Sequence, residues 1–138
     1  MNPILAAGVA TILFLAMAGF QAAMALGAPL GAYVLGGRNV GTLPARLRVA
    51  SGIAAGILVV MAVVVLARAG VVGWPSAAAG LVAPATWILA GYLALNTIAN
   101  LASKSRIERT AFAATTAVLC ALSAYVAAAG RGPLAPGS

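Results

Sequence analysis

Four long apolar segments constrain this chain more than any other feature of its sequence. They cover residues 4–26, 49–67, 77–101 and 107–129. Each is close to the ~20 apolar residues that a helix needs to cross the hydrocarbon core of a bilayer. The segments are continuous, rich in Ala and Leu, and lack the alternation of a membrane β-barrel. We therefore predict an all-α membrane protein, a bundle of four transmembrane helices in one domain, residues 1–129.

Charged residues are too few to build a water-soluble surface around these segments. They make up 7% of the chain, against 64% hydrophobic residues, whereas about a quarter of a soluble domain is charged. A backbone surrounded by lipid has to pair its polar groups internally, which favours helices. Residues 130–138, GRGPLAPGS, are rich in Gly and Pro and are predicted to form a tail after the bundle.

The basic residues predict the orientation of the bundle. Six of the eight fall on one side of the membrane: Arg38, Arg46, Arg48, Lys104, Arg106 and Arg109. Because short cytoplasmic loops are enriched in Lys and Arg, we expect both termini outside the cytoplasm, in a bacterial inner membrane. The net charge of +7 would also suit a nucleic-acid binder. Topology accounts for these positions, so no nucleic-acid partner is expected.

The first segment has one feature of a secretory signal. Ala23-Met24-Ala25 provides the small residues of a cleavage site after an apolar run. No Lys or Arg precedes that run, as a secretory signal would normally require. We therefore expect a first helix that is retained.

Among the uncharged polar residues of the predicted helices, four towards the cytoplasmic side are candidates for a site: Gln21, Ser51, Asn96 and Asn100. Asn96 and Asn100 are four residues apart and share one helix face. An amide that faces lipid is unfavourable, so these side chains should face one another or a wet crevice. Two interpretations stay open: an interhelical hydrogen-bonded clamp, at about 0.6 kcal/mol per contact, or a ligand-binding pocket.

The arginines of the first loop extend the second interpretation. Arg38, Arg46 and Arg48 would form a basic rim at the inner leaflet, where each basic residue attracts anionic lipid by about 1 kcal/mol. With the polar cluster above it, the rim would complete an amphipathic pocket. The alternative is that these arginines only set the topology.

Acid–base and metal chemistry have few candidates in this sequence. It has no His, one carboxylate (Glu108) and one cysteine (Cys120). Without His there can be no Ser–His or Cys–His nucleophile. One carboxylate cannot form a catalytic pair, and one cysteine cannot form an intrachain disulfide. The usual ligand sets for zinc and calcium are also missing. We predict no catalytic residue, no metal and no cofactor, and hence no enzyme.

Glu108 has a structural interpretation of its own. Ser105-Arg106-Ile107-Glu108 fits the capping box Ser-x-x-Glu, directly before the fourth apolar segment. In that motif Ser105 and Glu108 would each accept a hydrogen bond from the other's backbone amide. The alternative is a functional carboxylate, which the cap interpretation makes unnecessary.

Gly52 and Gly56 form a Gly-x-x-x-Gly motif on the second segment. Small residues at this spacing let helix backbones approach closely in lipid. The motif predicts either close packing within one chain or the seam of a homodimer.

Three stretches of the chain resemble a known pattern: FQAAMALGAPLGAY (20–33), LPARLR (43–48) and LNTIANLASKSRIER (95–109). They resemble a group of small, uncharacterised bacterial four-helix integral membrane proteins. The resemblance puts Gln21, Pro29, Asn96 and Glu108 on motif positions. The chain departs from the pattern after Glu-Arg, where an aromatic residue is common and Thr110 stands here. The group has no known activity, so the resemblance bears on architecture alone.

The sequence thus favours a non-enzymatic membrane protein that binds a lipid or another amphipathic molecule, or a partner membrane protein. Its contacts would come from the polar cluster and the arginine rim. The alternative is a small transporter or channel subunit that acts as a homodimer through Gly52 and Gly56.

Overall fold

In a computed structural model of the chain, which describes residues 2–133, four long helices account for most of the structure. They are α1 (Pro3–Ala25), α2 (Ala45–Arg68), α3 (Val82–Leu101) and α4 (Ala113–Ala129). A short 3-10 segment, Ser76–Leu81, leads into α3, and a π-helical turn, Glu108–Phe112, leads into α4. With these extensions, all four helices are long and apolar enough to cross a membrane. The predicted all-α, four-helix architecture is confirmed.

The helix boundaries differ from the predicted ones mainly at the loops. α2 begins at Ala45, directly after Pro44, instead of at residue 49. The regular part of α3 begins at Val82, so that Pro84 lies in its first turn, where the missing amide hydrogen of proline does no harm. Residues 134–138 of the predicted tail lie outside the described residues.

The α1–α2 connection is a folded loop built around left-handed residues. It contains two 3-10 turns, Gly31–Tyr33 and Leu35–Gly37. The Gly31 amide donates to the carbonyl of Gly41 at 2.9 Å, and a Cβ on Gly31 would collide with the carbonyl of Asn39. Only glycine fits there, because the backbone of the loop returns against itself at that residue.

The four helices do not pack equally against one another. α1 packs against α2, α3 against α4, and α1 against α4, whereas the contact between α2 and α3 is smaller. The bundle is therefore two antiparallel hairpins joined along α1 and α4. The α1–α2 and α3–α4 connections lie together at one end, called here the loop end. The other end, with the α2–α3 connection, the start of α1 and the end of α4, is called the terminal end.

The main core lies towards the terminal end. Ala6, Ala7, Ala10 and Phe14 of α1 are completely buried there. The outer surface of the bundle is apolar as well, with Ile88 of α3 73% exposed and Ile12 of α1 69% exposed. Large apolar side chains on the outside suit contact with lipid tails, which offer no hydrophobic penalty for such exposure.

Candidate functional site: a cavity at the loop end

A cavity of about 570 Å³ lies among the four helices at the loop end. Its wall is mostly apolar, and the rings of Phe20 and Phe112 meet on it edge to face, with centroids 5.3 Å apart. The polar residues on the wall are Gln21, Ser51, Asn96, Asn100, Glu108 and Thr115. A volume of this size falls within the range of small-molecule sites.

The structure brings all four predicted uncharged polar residues to this cavity: Gln21 from α1, Ser51 from α2, and Asn96 and Asn100 from α3. Their hydrogen bonds differ from those of an interhelical clamp. Asn100 Nδ2 donates to Asn96 Oδ1 at 3.0 Å, within α3. The Gln21 amide makes no hydrogen bond to any other residue of 2–133. The amides thus line a space instead of bonding across it.

Asn96 continues this chain of hydrogen bonds towards mid-helix. Its Nδ2 donates to the hydroxyl of Tyr92 at 3.2 Å. Tyr92 lies on the wall of a second space, a groove of about 720 Å³ between α2 and α3. A single face of α3 therefore carries a polar ladder, Tyr92–Asn96–Asn100, from the groove to the cavity.

The groove between α2 and α3 is almost entirely apolar, and Gly52 and Gly56 lie on its α2 side, both exposed. A Cβ added at Gly56 would meet no atom within 4 Å, and one at Gly52 would reach only the Cβ of Ala25, at 3.7 Å. Packing within the chain therefore does not require glycine at either position. The predicted homodimer seam stays a prediction.

A polar interhelical contact does exist, but between residues that sequence analysis did not select. Thr97 Oγ1 of α3 donates to Thr116 Oγ1 of α4 at 2.9 Å. The Thr116 hydroxyl is directed to the carbonyl of Phe112 at 2.9 Å. The sequence shows a threonine in each of these Ala-rich helices, but it does not show that the two side chains face each other.

Glu108 binds the α1–α2 loop. Its carboxylate accepts hydrogen bonds from the backbone amides of Leu35, at 2.7 Å, and Gly36, at 3.0 Å, and from the hydroxyl of Ser103. Leu35, Gly36 and Gly37 have φ of 53°, 70° and 74°. Consecutive amides in such turn conformations form an anion-binding nest. We call this arrangement the Glu108 latch.

The predicted capping box is therefore wrong. The Ser105 amide donates to Ser103 Oγ at 3.0 Å instead of to Glu108, and the Ser105 hydroxyl donates to the carbonyl of Tyr33 at 3.3 Å. Glu108 lies in a π-helical turn, and the local capping motif assumes a regular α-helical first turn. Both side chains contribute to joining the two loops.

The three arginines of the predicted rim do not line the wall of the cavity. Arg48 Nε donates to the carbonyl of Ala25 at 3.0 Å, and its guanidinium lies 3.5 Å from where a Cβ on Gly27 would be. Arg48 thus satisfies the last turn of α1, where unpaired carbonyls favour a cation. Arg38 and Arg46 are exposed and do not line the cavity.

The cavity offers hydrogen bonds and apolar contact rather than a built acid–base or metal centre. Among residues 2–133, no three His, Cys, Asp or Glu side chains lie together as metal ligands would. Cys120 lies on the α3–α4 interface, where its Sγ is 3.4 Å from the carbonyl of Ala90.

Comparison with protein families, with curated proteins and with solved structures finds no match for this chain. The resemblance to small bacterial four-helix membrane proteins therefore stays a prediction.

Proposed function

We propose that this protein is a non-enzymatic integral membrane protein that binds one lipid or other amphipathic molecule. The polar head of the ligand would lie in the loop-end cavity, and its apolar chain would follow the groove between α2 and α3. By the distribution of Lys and Arg, the loop end would face the cytoplasm and the cavity would lie at the inner leaflet.

The convergence of Gln21, Ser51, Asn96 and Asn100 on one cavity is the observation that carries this proposal. Ligand sites are typically apolar spaces with a few polar groups that fix orientation. Packing alone would have paired the amides between helices, because an unpaired polar group in an apolar site is unfavourable. Instead Gln21 has no partner among the described residues, and its amide is available to a ligand.

The polar ladder on α3 supports the placement of the ligand's apolar chain in the groove. Asn96 lines the cavity and Tyr92 lines the groove, and their side chains are hydrogen-bonded. In the proposed binding mode this contact marks the passage from the cavity, which has polar groups, to the groove, which has almost none. An amphipathic molecule matches this division in both chemistry and direction.

A second candidate function is a small transporter or channel subunit that acts as a homodimer. The exposed position of Gly52 and Gly56 on an apolar groove favours it, because such a motif permits close helix contact in lipid. In that case a second copy would occupy the groove in place of a lipid chain.

The test is native mass spectrometry of the protein purified in a mild detergent. Ala111→Phe places a ring at the wall of the cavity, whereas Ala114→Phe places the same ring on an exposed part of α4 away from it. We expect a retained ligand in the wild type and Ala114→Phe, and its loss in Ala111→Phe.

Equal retention in both variants would refute binding in the cavity. The same spectra report stoichiometry. A dimer that is lost in Gly56→Leu, with no ligand bound to the wild type, would favour the homodimer instead.

A further inference from the structure

Glu108 on the cavity wall and Arg48, three residues before Ser51 on α2, already have partners. Glu108 accepts from Leu35, Gly36 and Ser103, and Arg48 donates to the carbonyl of Ala25. Arg38 of the α1–α2 loop and Arg46 in the first turn of α2 do not line the cavity either. No cationic side chain of the described residues lines this space. The described wall of the cavity therefore offers no charged donor to an anionic head.

The groups that are available to a ligand are uncharged. Gln21, Asn96 and Asn100 can each both donate and accept through their amides, and Ser51 through its hydroxyl. Such a set matches a head with hydroxyl and carbonyl groups, which also donates and accepts. It gives little compensation for burying a full charge, which requires a counter-charge or several directed hydrogen bonds.

Glu108 makes the cavity selective against one sign of charge. Its carboxylate lies on the cavity wall, and all its hydrogen bonds within residues 2–133 come from uncharged donors. An anionic head in the same space would face this carboxylate, and like charges repel each other. A trimethylammonium head would be attracted by this carboxylate, but it has no hydrogen-bond donor or acceptor with which to pair the uncharged polar side chains of the wall.

We infer that the cavity selects an amphipathic molecule with an uncharged, hydroxyl- and carbonyl-bearing head, of the diacylglycerol or long-chain alcohol class, and rejects phosphate-bearing lipids. This inference depends on the proposed function, since it names the ligand class of the same cavity. It replaces the sequence-based expectation of an arginine rim for anionic headgroups.

The experiment compares lipids that differ only in the head. Diacylglycerol, phosphatidic acid and a trimethylammonium lipid, all with the same two acyl chains, are added to the purified wild type, and bound lipid is quantified by native mass spectrometry. We expect diacylglycerol to bind at least about tenfold more tightly than either charged lipid. A smaller preference, or a reversed one, overturns the inference.

Variants connect that preference to named side chains. Asn96→Leu should lower diacylglycerol binding about tenfold, the equivalent of roughly 1.4 kcal/mol. Glu108→Gln should raise phosphatidic acid binding relative to diacylglycerol, whereas the matched control Arg38→Gln should leave the ratio unchanged. A lower phosphatidic acid binding in Arg38→Gln would restore the arginine rim and contradict the inference.

The comparison also separates this inference from the proposed function. If Ala111→Phe abolishes binding of every lipid in the series but phosphatidic acid binds best, the cavity is a lipid site of the opposite selectivity. If Ala111→Phe changes the binding of none, the cavity is not the lipid site and the proposed function fails.

Discussion

The two ends of the bundle are stabilised by different kinds of contact. At the terminal end, small apolar residues such as Ala6, Ala7 and Ala10 pack closely, with no exposed surface. Arg68 Nη2 joins α2 to α4 there through the carbonyl of Ala127, at 2.7 Å. At the loop end, the helices surround a cavity, and the Glu108 latch joins the two loops. One end is close-packed, and the other is held together by hydrogen bonds around a space.

Charged side chains form hydrogen bonds with the backbone at both ends of the bundle. The arginines bind carbonyl oxygens, and the glutamate binds amide groups. Arg68 and Arg48 donate to carbonyls in the last turns of α4 and α1. Glu108 accepts from loop amides. In a chain with few polar side chains, these contacts pair backbone groups that helix geometry leaves unsatisfied. The charges that looked like a lipid-binding surface in the sequence are partly structural.

The largest expected effect tests the close-packed end. Phe14→Ala removes a completely buried ring from the main core and should lower the free energy of unfolding by about 3–5 kcal/mol. Unfolding in mixed detergent and denaturing detergent measures this. Phe112→Ala, at the cavity wall, should cost clearly less, because that ring already borders an empty space. Equal losses would mean that the two ends are packed alike.

Next in size is the Glu108 latch. Glu108→Gln replaces a charged acceptor of two amides by a neutral amide, and should cost about 1–3 kcal/mol. Hydrogen exchange should rise at Leu35 and Gly36, whose amides donate to the carboxylate. The control is Arg109→Gln, an exposed neighbour, with an expected change within about 0.5 kcal/mol. Unchanged exchange at residues 35–36 would refute the latch.

Two glycine substitutions should change stability by intermediate amounts and in opposite directions. Gly31→Ala forces a Cβ against the carbonyl of Asn39 in the loop and should destabilise by about 1–3 kcal/mol. Gly56→Ala meets nothing on the groove and should stabilise α2 by about 0.5–1 kcal/mol through helix propensity. Thermal unfolding of both variants checks the signs. A destabilised Gly56→Ala would indicate that another helix occupies the groove.

The smallest expected effect concerns the Thr97–Thr116 contact, which should contribute to stability but not to ligand binding. Thr97→Val removes the hydroxyl that donates to Thr116 and should cost about 0.6 kcal/mol, the measured average for such contacts in membranes. It should leave lipid retention unchanged, because Thr97 does not line the cavity. Native mass spectrometry beside an unfolding curve tests both statements. Loss of lipid in this variant would show that the cavity depends on the α3–α4 contact.

The sequence predicted which polar residues line the cavity better than it predicted their hydrogen-bond partners. It grouped Gln21, Ser51, Asn96 and Asn100 by depth, and these residues do line one cavity. It did not predict the partners of Glu108 and Arg48, which are backbone groups of distant segments. A local motif such as the capping box describes only neighbours in the chain. Nothing in the sequence indicates that Glu108 binds an amide 73 positions away.

The sequence by itself determined the four helices, because about 20 continuous apolar residues in lipid can satisfy their backbone only as a helix. It also determined the approximate depth of the polar residues, since the rise per residue of a helix is constant. Tertiary structure alone decided which hairpins pack together, where the cavity lies, and which amides Glu108 binds. Those outcomes depend on the close approach of segments distant in sequence. In lipid such an approach follows from shape and hydrogen bonding, which hydropathy does not encode.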